Sequence, residues 1–143
     1  MVIPKYILAT IFFLIVFINC YTQNSKIDSL NFELVNSKQD TAILRILIRI
    51  SEEYRFSEPE KSEEYCLKAL KKLKDTSSVE NKKIWAKIND NIGISKAIRG
   101  YYEESINYFF NSLHLRERMK DNSGIANSYN NIGNVYKAIE KKR

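Results

Sequence analysis

Apolar residues recur along most of this chain at the three- and four-residue spacing that places them on one face of a helix. Four such stripes are Ile43, Leu47, Ile50 and Tyr54; Ile84, Ile88 and Ile92; Ile106, Phe109, Phe110 and Leu113; and Tyr129, Ile132, Val135, Tyr136 and Ile139. Gly and Pro, which interrupt helices, occur at only four and two positions. The pattern predicts an all-α protein whose helices are joined by short polar breaks.

The pattern also repeats along the chain. The triplet Asn91-Ile92-Gly93 returns as Asn131-Ile132-Gly133 forty residues later, and Ala86 returns as Ala126. Self-similarity at a fixed period predicts stacked helical hairpins, each of which buries its apolar face against the next. Gly93 is then expected at a close helix crossing, where a larger side chain would force the two backbones apart.

A more divergent copy precedes these two. Ser62 matches Ser105, 43 residues later, and Ser51 is the nearest equivalent of Gly93. Between the helices of the middle copy, Gly100 is placed to end the first helix in a left-handed conformation that other residues adopt at a cost.

The middle copy resembles the tetratricopeptide repeat. It has the small Gly93, then Gly100-Tyr101-Tyr102 at the turn, then the small Ser105 followed by aromatic residues. The resemblance implies an α-solenoid of antiparallel helix hairpins, with about two and a half repeats behind an N-terminal capping helix. The implied divisions are a capping helix and loop over 23–39 and a repeat domain over 40–143, made of 40–78, 79–120 and an incomplete 121–143.

The last predicted helix, Ile125–Ile139, has no partner helix after it in this sequence. One of its apolar flanks is therefore expected to lie uncovered. Either the chain is part of a longer array, or another subunit covers this flank.

The N-terminal segment, residues 1–22, is predicted to be a signal peptide. Lys5 is followed by an apolar run of twelve residues, Ile7 to Ile18, which is shorter than the roughly 18–20 residues of a membrane-spanning helix. Cleavage is expected between Thr22 and Gln23, which would export the protein to the periplasm or cell envelope. Lipidation at Cys20 and an uncleaved anchor are the alternatives, and only the uncleaved segment would contact a membrane.

Charge and reactive residues exclude several function classes. The net charge of +6 is scattered along the chain, whereas a nucleic-acid groove would gather it on one face, so we expect no nucleic-acid binding. His114 is the only histidine, which excludes a metal site built on several histidines. Cys66 lies on an apolar stripe and is expected to behave as a small hydrophobe. We therefore expect no enzyme active site, metal or cofactor.

The candidate binding residues are polar side chains on the first helix of each hairpin. In tetratricopeptide domains these helices line the concave face, where asparagine amides bond the backbone of an extended peptide, so the resemblance implies the same role here. An amide both donates and accepts a hydrogen bond. The predicted ligand-binding residues are Lys87, Asn91, Asn130, Asn131, Asn134 and Lys137. For Asn91 and Asn131 the alternative is that the amide bonds a neighbouring helix.

These observations predict an exported module that binds a protein or peptide. The order of segments is similar to the N-terminal sensor regions of bacterial envelope histidine kinases and related regulators, which implies a place in signalling. The alternative is a structural or assembly module that forms a homodimer through its uncovered C-terminal helix.

Overall fold

Six helices follow one another along the chain. A computed structural model describes residues 5–142. The helices are α1 (Lys5–Asn36), α2 (Asp40–Tyr54), α3 (Pro59–Lys72), α4 (Val79–Ile98), α5 (Tyr102–Met119) and α6 (Asn122–Glu140). No strand occurs within the described range, and none of its helices is long and apolar enough to cross a membrane. The all-α prediction is confirmed for these residues.

The N-terminal helix differs from the prediction. The sequence predicts a separate capping helix that begins near Lys26, but α1 runs unbroken from Lys5 to Asn36. Residues 19–25 contain no Gly or Pro that would end a helix. The expected cleavage point between Thr22 and Gln23 therefore falls inside a helix. Residues 1–4 of the predicted signal segment, and Arg143 at the end of the predicted third repeat, lie outside the described residues.

Each helix packs against the next one along the chain, and α2, α4 and α6 also contact one another in series. The wide apolar arc of α2 explains how one helix serves two cores. Ile46 and Ile50 pack with Leu30 of α1, whereas Leu44 and Leu47 pack with residues of α3 and α4. A further core joins α5 to α6 and contains Phe109, Leu113, Ile132 and Val135.

Two helix crossings use the same contact. The Ser105 hydroxyl of α5 donates a hydrogen bond to the carbonyl oxygen of Gly93 in α4, at 2.7 Å. In the preceding hairpin, the Ser62 hydroxyl of α3 donates to the carbonyl oxygen of Ser51 in α2, also at 2.7 Å. The predicted equivalence of Ser51 with Gly93 is therefore confirmed by a shared hydrogen bond.

Gly93 lies at the close crossing that the sequence predicts. A Cβ atom on this residue would stand 2.8 Å from the ring of Phe109, which is 1% exposed. Gly100 has φ of 85°, so the predicted left-handed helix end is also confirmed. This crossing lies in the half of α4 that is nearer the short turn to α5.

A buried ion pair fixes α6 against the α4–α5 hairpin. The Arg116 guanidinium of α5 donates to the Asp90 carboxylate of α4 at 2.5 Å. The same guanidinium donates to the carbonyl oxygen of Gly124 and to the Ser128 hydroxyl of α6, each at 2.9 Å. The side chains of Arg116 and Asp90 are both 11% exposed, so this network lies mostly away from water.

Candidate functional site

A groove runs between α4 and α6, and the end of α2 closes one side of it. Its volume is about 370 Å³. The residues that line it are Arg55, Phe56, Ile94, Ala97, Ile98, Tyr102, Phe109, Asn131, Asn134, Val135 and Ala138. Most of them are apolar, and the polar groups among them are the two amides, the Arg55 guanidinium and the Tyr102 hydroxyl. A groove of this kind has room for a large side chain and has polar groups that could orient it.

The helical spacing of α4 and α6 builds the two walls. Ala97 and Ile98 lie three and four residues after Ile94, so all three share one side of α4. Phe56, in the turn after α2, is 79% exposed, and Ile98 is 45% exposed. Large apolar side chains exposed beside a groove are typical of a surface that binds a partner.

Two of the predicted binding residues, Asn131 and Asn134, line the groove from α6. Asn131 is half-buried and Asn134 is exposed. Within residues 5–142 neither side-chain amide has a hydrogen-bond partner. Each amide can therefore donate to and accept from an external backbone.

Asn91 does not reach the groove. It is 1% exposed. Its amide nitrogen donates to the Ser51 hydroxyl at 2.9 Å, and its oxygen accepts a hydrogen bond from Arg55 at 2.8 Å. In this structure Asn91 therefore makes the contacts of the alternative interpretation, because Ser51 of α2 and Arg55 just after it bond the two ends of its amide.

The other three predicted residues are exposed but lie outside the groove lining. The Lys87 ammonium is 2.9 Å from the Glu52 carboxylate, nearer the start of α4. Asn130 and Lys137 lie on α6 beside the groove, on the side that faces away from α4 and α5. The structure therefore brings together only Asn131 and Asn134 from the predicted set.

Arg55 is a lining residue that the sequence analysis missed. Its side chain is 25% exposed, and its guanidinium stands 3.6 Å from the Glu52 carboxylate. Glu52 also pairs with Lys87, so one carboxylate faces two cations and this side of the groove keeps an excess of positive charge. Arg55 ends the apolar stripe of α2, and its contact with Asn91, 36 residues away, is not visible in a local pattern.

Reactive side chains do not gather at the groove. Among the described residues, no group of three or more His, Cys, Asp and Glu side chains is placed to hold a metal ion. Cys66 is fully buried, and burial raises the pKa of its thiol to about 11. The His114 side chain is 82% exposed, on α5. The predicted behaviour of Cys66 as a small buried hydrophobe is confirmed.

Comparison with models of protein families, with curated proteins and with solved structures found no match to this chain.

Proposed function

We propose that this chain is a protein-interaction module of the tetratricopeptide-like type, and that an extended peptide segment binds in the groove between α4 and α6. The observation that carries the proposal is the pair of unpaired amides, Asn131 and Asn134, on the wall of an apolar groove of about 370 Å³.

The chemistry of the groove indicates the kind of ligand. One apolar side chain of the peptide occupies the space beside Ile94, Ile98 and Phe56, where it loses contact with water. The two amides bond the peptide backbone, which requires no particular side chain from the ligand. The positive charge around Arg55 favours a ligand with an acidic group nearby.

The stacking of hairpins supports a tetratricopeptide-like architecture. The same Ser-to-carbonyl hydrogen bond joins α3 to α2 and α5 to α4. The first helices of the hairpins, α2, α4 and α6, contact one another, and the groove lies between two of them. Such an arrangement presents a continuous surface for an extended ligand.

The experiment uses a panel of short acetylated peptides that carry one Leu, Phe or Trp next to one or two Glu residues. Their affinity for the full chain is measured by fluorescence anisotropy. For the peptide that binds best, Asn131→Ala with Asn134→Ala should weaken binding by about 0.5–1.5 kcal/mol per hydrogen bond lost. The matched control is Asn127→Ala, which removes an exposed amide of α6 that does not line the groove.

Two results would contradict the proposal. One is that no peptide of the panel binds saturably. The other is that the double variant keeps full affinity while Asn127→Ala loses it. Unchanged helicity by circular dichroism in all variants separates loss of contact from loss of folding.

Export and signalling belong to the proposal through the sequence alone: export rests on the predicted signal peptide, and signalling rests on the resemblance. If residues 1–22 are a cleaved signal segment, mass spectrometry of the protein from the cell envelope should give an N-terminus at Gln23. A lipid-bearing N-terminus at Cys20 would favour the lipoprotein alternative. An intact N-terminus in the cytoplasm would exclude export.

A further inference from the structure

A hollow lies between α1 and α3, and α2 forms its floor. Among the described residues, both outer helices pack on α2 but not on each other. The space left between them has a volume of about 590 Å³ and is lined by Leu34, Ile43, Leu47, Lys68, Lys71 and Lys72. This volume lies within the range of small-molecule sites. None of these residues lines the groove between α4 and α6, so the hollow is a separate surface.

The floor of the hollow is apolar and recessed. Leu34 and Ile43 are half-buried, and both pack on the core that contains Leu47. Leu47 lines the hollow although it is only 3% exposed, so the floor lies well below the surrounding surface. A flat surface such as that of a lipid bilayer does not reach a floor of this kind, whereas a single alkyl chain can enter it.

The rim on the α3 side carries three lysines. Lys71 and Lys72 lie three and four residues after Lys68, so all three share one side of the helix. Lys68 forms an ion pair of 2.7 Å with Glu64, and because both side chains are exposed this pair is weak. Lys71 and Lys72 have no ion-pair partner among residues 5–142. Their ammonium groups are therefore available to an external anion.

The carboxylates near the rim do not neutralise it. The charge of Asp40, at the start of α2, acts on Lys72, but its carboxylate lies 2.8 Å from the Lys74 ammonium and is paired with it. Asp40 and Glu64 thus face four lysines, the three of the rim and Lys74. An excess of positive charge beside an apolar recess attracts an anion that also has an apolar part.

The lining also indicates which kind of amphipathic anion fits. Every lining residue is either aliphatic or a lysine. Protein interfaces are enriched in aromatic residues and depleted in lysine, so this surface is a poor match for a protein partner. Lysine side chains can instead lie along an alkyl chain with their stems while their charged ends stay at the water boundary.

We infer that the hollow between α1 and α3 binds a free fatty acid. The alkyl chain lies on Leu34, Ile43 and Leu47, where it loses contact with water. The carboxylate lies at the mouth of the hollow beside Lys71 and Lys72, where it stays partly hydrated and is not buried without a partner.

The test titrates the full chain with dodecanoate and with decanoate by isothermal calorimetry, below the concentrations at which either forms micelles. We expect saturable binding at one site. Decanoate should bind about fifteenfold more weakly than dodecanoate, because it buries two fewer methylene groups. The uncharged 1-decanol serves as a probe with the same chain length as decanoate and no carboxylate.

Variants separate the contribution of charge from that of the apolar floor. Lys71→Gln with Lys72→Gln should weaken decanoate binding by about tenfold and change 1-decanol binding by no more than about twofold. The matched control is Lys82→Gln with Lys83→Gln, which removes two lysines of α4 that do not line the hollow. Ile43→Glu places a carboxylate on the floor and should abolish binding of all three probes. If circular dichroism shows that Ile43→Glu does not fold, the lysine variants decide the test.

Four results would overturn the inference. The first is that dodecanoate does not bind saturably. The second is that the parent chain and the Lys71/Lys72 variant bind decanoate equally, which would mean that the carboxylate lies elsewhere. The third is that a folded Ile43→Glu keeps its affinity for dodecanoate, which would place the alkyl chain at another site. The fourth is that phosphatidylglycerol vesicles bind the chain through Lys71 and Lys72 while dodecanoate does not, which would assign the rim to a membrane surface.

Discussion

The helices α4 and α6 carry the same motif but lie in different surroundings. Residues 89–93 of α4 read Asn-Asp-Asn-Ile-Gly, and residues 129–133 of α6 read Tyr-Asn-Asn-Ile-Gly. In α4 all five are buried, because α2, α3 and α5 surround the helix. In α6 only the isoleucine is buried, because α4 and α5 cover one side alone.

The comparison shows that the neighbours, rather than the residue type, decide what each position does. The amide of Asn91 is bonded to Ser51 of α2 and to Arg55 just after it, whereas the amide of Asn131 is unpaired among the described residues and lines the groove. Gly93 receives a ring, whereas Gly133 faces open space. The same triplet is therefore a packing element in α4 and a surface element in α6, and substitutions at paired positions should have different effects.

The largest expected effect is at the buried ion pair between Asp90 and Arg116. At the position equivalent to Asp90, α6 has Asn130, which forms no such pair. Arg116→Met should lower the free energy of unfolding by about 3–5 kcal/mol, because Asp90 would remain buried without its partner. Asn130→Ala, the matched change in α6, should stay within about 0.5 kcal/mol. Denaturant unfolding followed by circular dichroism measures both.

The loss of stability in Arg116→Met should depend on pH in a defined direction. Burial raises the pKa of Asp90, and the Arg116 guanidinium opposes that shift. Without the guanidinium the pKa rises further, so the protonated, neutral form is favoured in the folded state. Stability from that form is present at low pH and is lost as the pH rises through the raised pKa. The difference between parent and variant should therefore be smaller at pH 4 than at pH 7, and a larger difference at pH 4 would contradict this assignment.

The next effect concerns the two glycines. Gly93→Leu should cost about 1–3 kcal/mol through overpacking against Phe109, whereas Gly133→Leu should be neutral or slightly stabilising. Gly93→Ala should also be destabilising, since its Cβ would stand 2.8 Å from a ring that is itself buried. Thermal unfolding of the three variants measures this. Equal midpoints for the two leucine variants would contradict the difference between the crossings.

The sequence predicted the parts of this fold that depend on local periodicity. The helices, the crossing at Gly93 and the helix end at Gly100 follow from apolar spacing and from the conformational freedom of glycine. The uninterrupted α1 was missed because the expected processing of its first half suggested a boundary that the backbone does not have.

The sequence predicted only some of the residues that line the groove, for a physical reason. Asn91 and Asn131 each begin the same Asn-Ile-Gly triplet, and contacts across the stack are what separate their roles. Ser51 of α2 and Arg55 just after it bond the amide of Asn91 from forty and 36 residues away. A single sequence does not state which helix lies against which amide, so the roles of Asn91 and Arg55 became visible only in the fold.

A smaller effect is expected at the two asparagines. Asn91→Ala removes two hydrogen bonds and should cost about 1–3 kcal/mol. The lower part of that range is expected, because Ser51 still donates to Ile48 and Arg55 still faces Glu52. Asn131→Ala should leave stability unchanged within about 0.5 kcal/mol and weaken only peptide binding. Chemical denaturation of both variants checks the contrast, and equal losses would mean that Asn131 also belongs to the scaffold.

The last expected effect is on reactivity rather than on stability, at the crossing of α2 with α3. Cys66 occupies the place that Phe109 holds at the next crossing, and burial raises the pKa of its thiol from 9.0 to about 11. At pH 8.5 the thiolate fraction should therefore be about a hundredfold lower than that of an ordinary cysteine, and labelling is slowed at least in that proportion.

A chain with Cys20→Ser, treated with a thiol reagent before and after unfolding, isolates this residue. Because the neutral thiol is the form that the fold favours, its contribution to stability is present below pH 9 and is lost as the pH rises through about 11. Rapid labelling of the folded chain at pH 8.5 would show that the α2–α3 crossing opens readily, and would make Gly93–Phe109 the only tightly closed crossing of the two.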